Sequence, residues 1–144
     1  VSDGMGAGIY PALFFTVAML VTNAYFLMGG LPLLILQHDT PLDARFVRGF
    51  FRVYHQAALA TAAGACLSFA LWGRPAFAAG AAACVLVALA LRHTLLPAMQ
   101  ALGEQIADGD APAIRRFRRL HLAALSINLV QLVVVVWAIT RLTL

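Results

Sequence analysis

The sequence predicts an all-α, integral membrane four-helix bundle of up-down-up-down connectivity, and three observations carry that expectation. Only 11% of the residues are charged and 62% are apolar, with a mean hydropathy of +0.88, whereas soluble domains carry about 25% charged and about 45–50% apolar residues. The apolar residues gather into four stretches, each close to the roughly 20 residues that cross a bilayer. The ten basic residues are all arginine, and all but Arg92 fall outside those stretches. This excludes an ordinary soluble globule, a disordered tail and a disulfide scaffold. A pI near 9.8 would point a soluble protein toward nucleic acid; here arginine placement reads as membrane topology, and no nucleic-acid partner is expected. The length of 144 residues suits a single transmembrane domain.

The first apolar stretch runs over about residues 9–37. At 1.5 Å per residue it is about 43 Å long, more than the hydrocarbon needs, and Gly29-Gly30-Leu31-Pro32 is expected to kink or break it. The second helix is expected over 41–72, its apolar part over 53–72. Thr40-Pro41-Leu42-Asp43 has capping-box spacing with Pro at the first helical position. Gly73-Arg74-Pro75 makes a tight hairpin into the third helix, 75–107, whose apolar part covers 76–99. Asp108-Gly109-Asp110-Ala111-Pro112 reads as a turn with Asp110 as N-cap of the fourth helix, 111–141, apolar over 120–140. The third and fourth helices then extend past the membrane as a short cytoplasmic helical hairpin. Small residues such as Ala57-Ala58, Ala62-Ala63 and Ala81-Ala82-Ala83 favour close helix approach.

Arg45, Arg48, Arg52, Arg92, Arg115, Arg116, Arg118 and Arg119 fall on the side of the two longer connections, and only Arg74 and Arg141 on the other. The positive-inside rule then places the long connections in the cytoplasm and both termini outside, in a bacterial-type inner membrane. Tyr10, Trp72 and Trp137 fall where an outer aromatic belt would lie. No basic region precedes the first helix, so residues 1–15 do not read as a cleaved signal peptide.

All four histidines lie toward the cytoplasmic ends of their segments: His38 ends the first helix, and His55, His93 and His121 lie at one depth, about 3–10 Å inside. Three imidazoles at one level on three helices are what a haem or transition-metal site needs, with Arg52, Arg92 and Arg118 available for propionates or another anionic head. The alternative is that interfacial His and Arg snorkel, meet lipid headgroups or satisfy backbone groups. No H-x-x-H or H-E-x-x-H spacing is present. Thr16, Asn23, Gly30 and Gln37 repeat every seven residues, while Arg118, His121, Leu125 and Asn128 share a face, with Gln131 three residues on. Asn23, Asn128 and Gln131 should therefore face the bundle interior, either as interhelical hydrogen bonds or as the lining of a polar cavity, the sharper form being a cavity open to the cytoplasm beside His55, His121 and Asn128.

Cys66 and Cys84 sit in apolar stretches and read as small buried hydrophobes. None of the six acidic residues lies in an apolar span, which argues against carboxylate relays or paired-acid hydrolysis. No P-loop, G-x-S-x-G or dinucleotide fingerprint is present, and Met19, Met28 and Met99 are too scattered for a copper-transfer ladder.

Pro97-Ala98-Met99, Phe117-Arg118-Arg119-Leu120-His121 and Asn128-Leu129, together with Arg48-Gly49-Phe50-Phe51-Arg52-Val53-Tyr54 and Leu31-Pro32-Leu33, resemble the domain of unknown function 4149 family, which includes transmembrane-protein-205-like proteins. The resemblance covers about residues 29–137 and implies a four-helix membrane protein without an assigned biochemical activity. His121 and Asn128 carry over, whereas His55 and His93 depart from the pattern. Similarity to small four-helix haem proteins of the protoporphyrinogen-oxidase and copper-resistance-D type is weaker, because the first helix lacks their early histidine.

The expected function is an accessory or interaction component, or an amphiphilic-ligand binder working at the cytoplasmic face. Its expected partners are the lipid bilayer and a membrane protein or a second copy. The alternatives are a haem b- or metal-binding redox protein using two of His55, His93 and His121, and a small-molecule transporter. No residue set specifies a catalysed reaction.

Overall fold

A computed structural model describes residues 3–142 as four α-helices, with no strand among them. They are α1 (Asp3–Leu33), α2 (Pro41–Leu71), α3 (Pro75–Ala107) and α4 (Ala111–Arg141). The starts follow the local chemistry. Thr40, in extended backbone, accepts a hydrogen bond from the Asp43 amide at 3.2 Å and caps α2, with Pro41 pre-set for the first turn. Asp110 holds the N-cap position of α4 but makes no side-chain capping bond. Gly73 and Gly109 take φ of +76° and +82°, left-handed values that close the two short connections and that a β-carbon disfavours.

Both ends of α1 depart from the expectation, the helix beginning at Asp3 and not near residue 9. The helix stops at Leu33, not at residue 37. Pro32 removes the bond that would reach back to the Met28 carbonyl, and the following bonds tighten to three-residue spacing, Leu34 N–H to the Leu31 carbonyl (3.1 Å) and Ile35 N–H to the Pro32 carbonyl (3.0 Å). His38 therefore lies in the connection, with φ of +58°. Gly29 and Gly30 stay helical, and their role is close approach: a β-carbon at Gly29 would lie 2.8 Å from the Phe50 ring, and one at Gly30 2.5 Å from Leu125.

Helix α2 packs against α1 and α3, and α4 packs against the same two. The core has two parts. One is built on Phe26, Phe51, Tyr54, Met99, Phe117 and Leu125; the other on Ala12, Ala62, Ala65, Phe69, Trp72 and Ala81. Large apolar side chains also cover the outside, including Phe14, Tyr25, Met28, Leu67, Leu86, Val130 and Val133, which is not how a soluble monomer presents its surface. Three helical segments are long and apolar enough to cross a membrane: Gly8–Leu33, Pro75–Ala107 and Ala111–Arg141.

Candidate functional site

The polar side chains of the interior converge on the half of the bundle that holds Phe26, Phe51 and Phe117. Tyr54 on α2 is the hub. Its hydroxyl donates to Asn23 Oδ1 on α1 at 3.0 Å and lies 3.4 Å from Gln131 Oε1 on α4. Asn128 Nδ2 on α4 donates to Asn23 Oδ1 at 2.9 Å and to the Tyr54 oxygen at 3.0 Å. Asn23 Nδ2 returns to its own helix at the Met19 carbonyl, 2.8 Å away. The stacked Phe26 and Tyr54 rings, with centroids 3.8 Å apart, seal the group. Asn23 and Asn128 thus bond to each other and to Tyr54, and Gln131 reaches Tyr54 alone, so the amides close on the bundle interior; the groove described below shares only Tyr54 with them. Asn128 Oδ1 is buried without a partner.

A second group lies where α1 ends. Because Leu34 N–H turns to the Leu31 carbonyl, the Gly30 carbonyl loses its helical partner, and His121 Nε2 on α4 meets it at 3.1 Å. A carbonyl only accepts, so Nε2 carries the hydrogen and His121 Nδ1 is the acceptor. His38 Nε2 lies 3.3 Å from that atom and donates to it. The result is a one-directional chain from His38 through His121 to Gly30, fully buried and flanked by the Phe117 and Phe51 rings. Arg118 adds a bond from its guanidinium to the Leu34 carbonyl at 2.9 Å. His38 Nδ1 has no hydrogen-bond partner. Burial first, then the Arg118 charge, pushes the His38 pKa down, opposed by Asp43, the Leu33 carbonyl and Asp39.

His55, beside Tyr54, donates from Nδ1 to the Phe51 carbonyl at 2.7 Å, leaving a buried Nε2 without a partner. The three histidines expected to share one site do not form a group of three. His93 is exposed on α3, and both nitrogens of His121 are engaged. Among the described residues no three His, Cys, Asp or Glu side chains gather as a metal would require. Arg52, Arg92 and Arg118 are exposed. Depth along a helix is readable from sequence, whereas rotation about the axis is not, and rotation turns His93 outward.

Sequence reasoning missed two participants. Tyr54 enters the sequence reading only as the end of the segment Arg48–Tyr54, with no role of its own, although a tyrosine beside His55 on a helix facing the amide stripes is a usable signal. His38 looked like a helix end, and nothing local marks its left-handed turn. Cys66 and Cys84 are free thiols, partly buried, as packing residues would be. At the opposite end Arg74 lies 4.8 Å from the Trp72 ring and Arg141 5.4 Å from the Trp137 ring; Trp72, expected in an outer aromatic belt, is instead buried among Phe69, Ala65 and Ala81.

Compared with known proteins, the chain matches no family model, no curated protein and no solved structure.

Proposed function

We propose that this chain is a four-span, up-down-up-down membrane bundle that holds an amphiphilic ligand with an anionic head at its arginine-rich end. The observation that carries the reading is the position of Arg45, Arg48, Arg115, Arg116 and Arg119 around the buried histidine and amide groups, none of them in an ion pair among the described residues. Cations left without acidic partners beside an apolar surface suit an anionic amphiphile or the headgroups of an anionic leaflet. Helix α2 serves as the fourth span. Although its first turns carry Arg45, Arg48 and Arg52, it packs against both α1 and α3, so part of its polar surface faces protein instead of lipid. The eight-to-two arginine asymmetry supports a bacterial-type inner membrane, the arginine-rich end in the cytoplasm and both termini outside. Membership of the domain of unknown function 4149 family belongs to the same proposal, supported by the burial of Phe117, His121 and Asn128 at this end.

Reconstitution into vesicles of mixed phosphatidylglycerol and phosphatidylcholine tests the reading. The protein should enrich the anionic lipid around itself, and joint Arg115→Gln, Arg116→Gln and Arg119→Gln substitution should reduce that enrichment. Equal retention of both lipids by the wild-type protein would overturn it.

One observation favours a second reading, a haem b or metal site. His55 donates Nδ1–H to a backbone carbonyl and keeps Nε2 free, as ligating imidazoles commonly do. An absorption band in the purified protein that disappears with His55→Ala would establish it; a colourless, metal-free protein would end it.

A further inference from the structure

The outer face between α1 and α2 carries a groove of about 630 Å³. One wall is α2, where Arg45, Gly49, Val53 and Ala57 recur every fourth residue, with Phe46 and Phe50 beside them; the other is α1 at Val21, Thr22 and Tyr25. Gly49 opens it, since a β-carbon there would meet nothing within 4 Å. Tyr25, Phe46 and Val53 are more than half exposed, an apolar lining with no cover from the chain itself. Its one charged wall residue, Arg45, makes no ion pair or hydrogen bond among the described residues.

We infer that this groove is a binding site for a single anionic glycerophospholipid, with one acyl chain along the groove and the phosphate on the Arg45 guanidinium. The inference rests on the membrane reading above and names the ligand class and its place. The layout of the wall supports it. From Leu42 to Ala57 it rises about 22 Å, with the arginine-bearing turns before Val53 at one end and the start of the apolar stretch at the other. The Arg45 guanidinium sits at the headgroup end of that span, and the wall beyond it is apolar apart from the hydroxyls of Thr22, Tyr25 and Tyr54. Charge supports it as well, because a second copy of this chain would bring another cationic rim to Arg45, whereas a phosphate brings the opposite sign.

Native mass spectrometry of the full chain in detergent, titrated separately with phosphatidylglycerol and phosphatidylcholine, tests the site. The wild type should bind phosphatidylglycerol the more tightly. Arg45→Gln should weaken phosphatidylglycerol about fivefold, the equivalent of about 1 kcal/mol, and leave phosphatidylcholine unchanged. Gly49→Leu, which fills the groove with a good helix former, should weaken both lipids without lowering the melting temperature. A wild type that prefers phosphatidylglycerol while both variants bind as it does would overturn the groove and leave the arginine-rich end standing. A wild type with no preference would overturn both. Lipid-displacing dimers that disappear in Gly49→Leu would mean that a second copy occupies the groove, and would overturn the lipid assignment. If Gly49→Leu fails to fold, the exposed Arg45→Gln still decides the headgroup contact.

Discussion

The two halves of this bundle solve the same packing problem with different chemistry. Around Trp72 the helices meet through Ala12, Ala62, Ala65 and Ala81, and Gly8 brings α1 against the backbone of Trp72, where a β-carbon would lie 2.9 Å from the Trp72 amide nitrogen. Nothing directional is needed there, because small residues let helix surfaces come close enough for dispersion to act. Around Phe51 the interior holds large rings, three buried histidines and two buried asparagines. Rings keep backbones apart, and the space between them is filled by polar groups whose bonds fix the helices in rotation as well as distance. The first half is specified by shape. The second is specified by shape and by bonds, and it is also where His38 Nδ1, His55 Nε2 and Asn128 Oδ1 stay buried without a partner.

The largest effects should separate the halves. Phe51→Ala removes a fully buried ring in contact with Phe26, His55 and His121, and should cost about 3–5 kcal/mol in reversible unfolding in mixed micelles. Gly8→Ala, which pushes on the Trp72 backbone, should cost about 1–3 kcal/mol. If the glycine variant proved the more damaging, the small-residue half would be the principal stabilising region and the contrast would fail.

His121→Leu keeps the half apolar but strips Gly30 and His38 of their partner. Its expected cost is about 1–3 kcal/mol by the same measurement. Tyr54→Phe, which deletes only the hub oxygen, should cost about 0.6 kcal/mol and at most about 1.7. A neutral Tyr54→Phe would show that the amides bond equally well without it.

The smallest effect is a pH dependence. The folded His38 pKa lies below its unfolded value of about 6.5. As pH falls below that value the unfolded chain takes up the proton before the folded one, so stability is complete above about 6.5 and is lost as the solution becomes more acid. Melting temperatures at pH 7.5 and 5.5 should differ by less in His38→Gln than in the wild type. Equal differences would remove His38 as the source.

Much of this architecture is legible in the residues. Thr40 and Asp43, the helix-starting prolines, and the turns at Gly73 and Gly109 are local signals, and they place three helix starts as read. The inward stripe of Asn23, Asn128 and Gln131 was legible because helical periodicity and the cost of a lipid-facing amide point the same way. Hydropathy alone carries α1 on to residue 37 because the apolar run continues past Pro32, whereas the hydrogen-bond ladder ends at Leu33.

The sequence by itself determined the starts of α2, α3 and α4, the inward amides and the arginine-rich end, because these follow from caps, periodicity and charge along the chain. Only the tertiary structure decided that Tyr54 joins the amides, that His38 and His121 close on Gly30, and that His93 turns away. Those outcomes depend on helix rotation and on one left-handed residue in a connection, which no local pattern encodes.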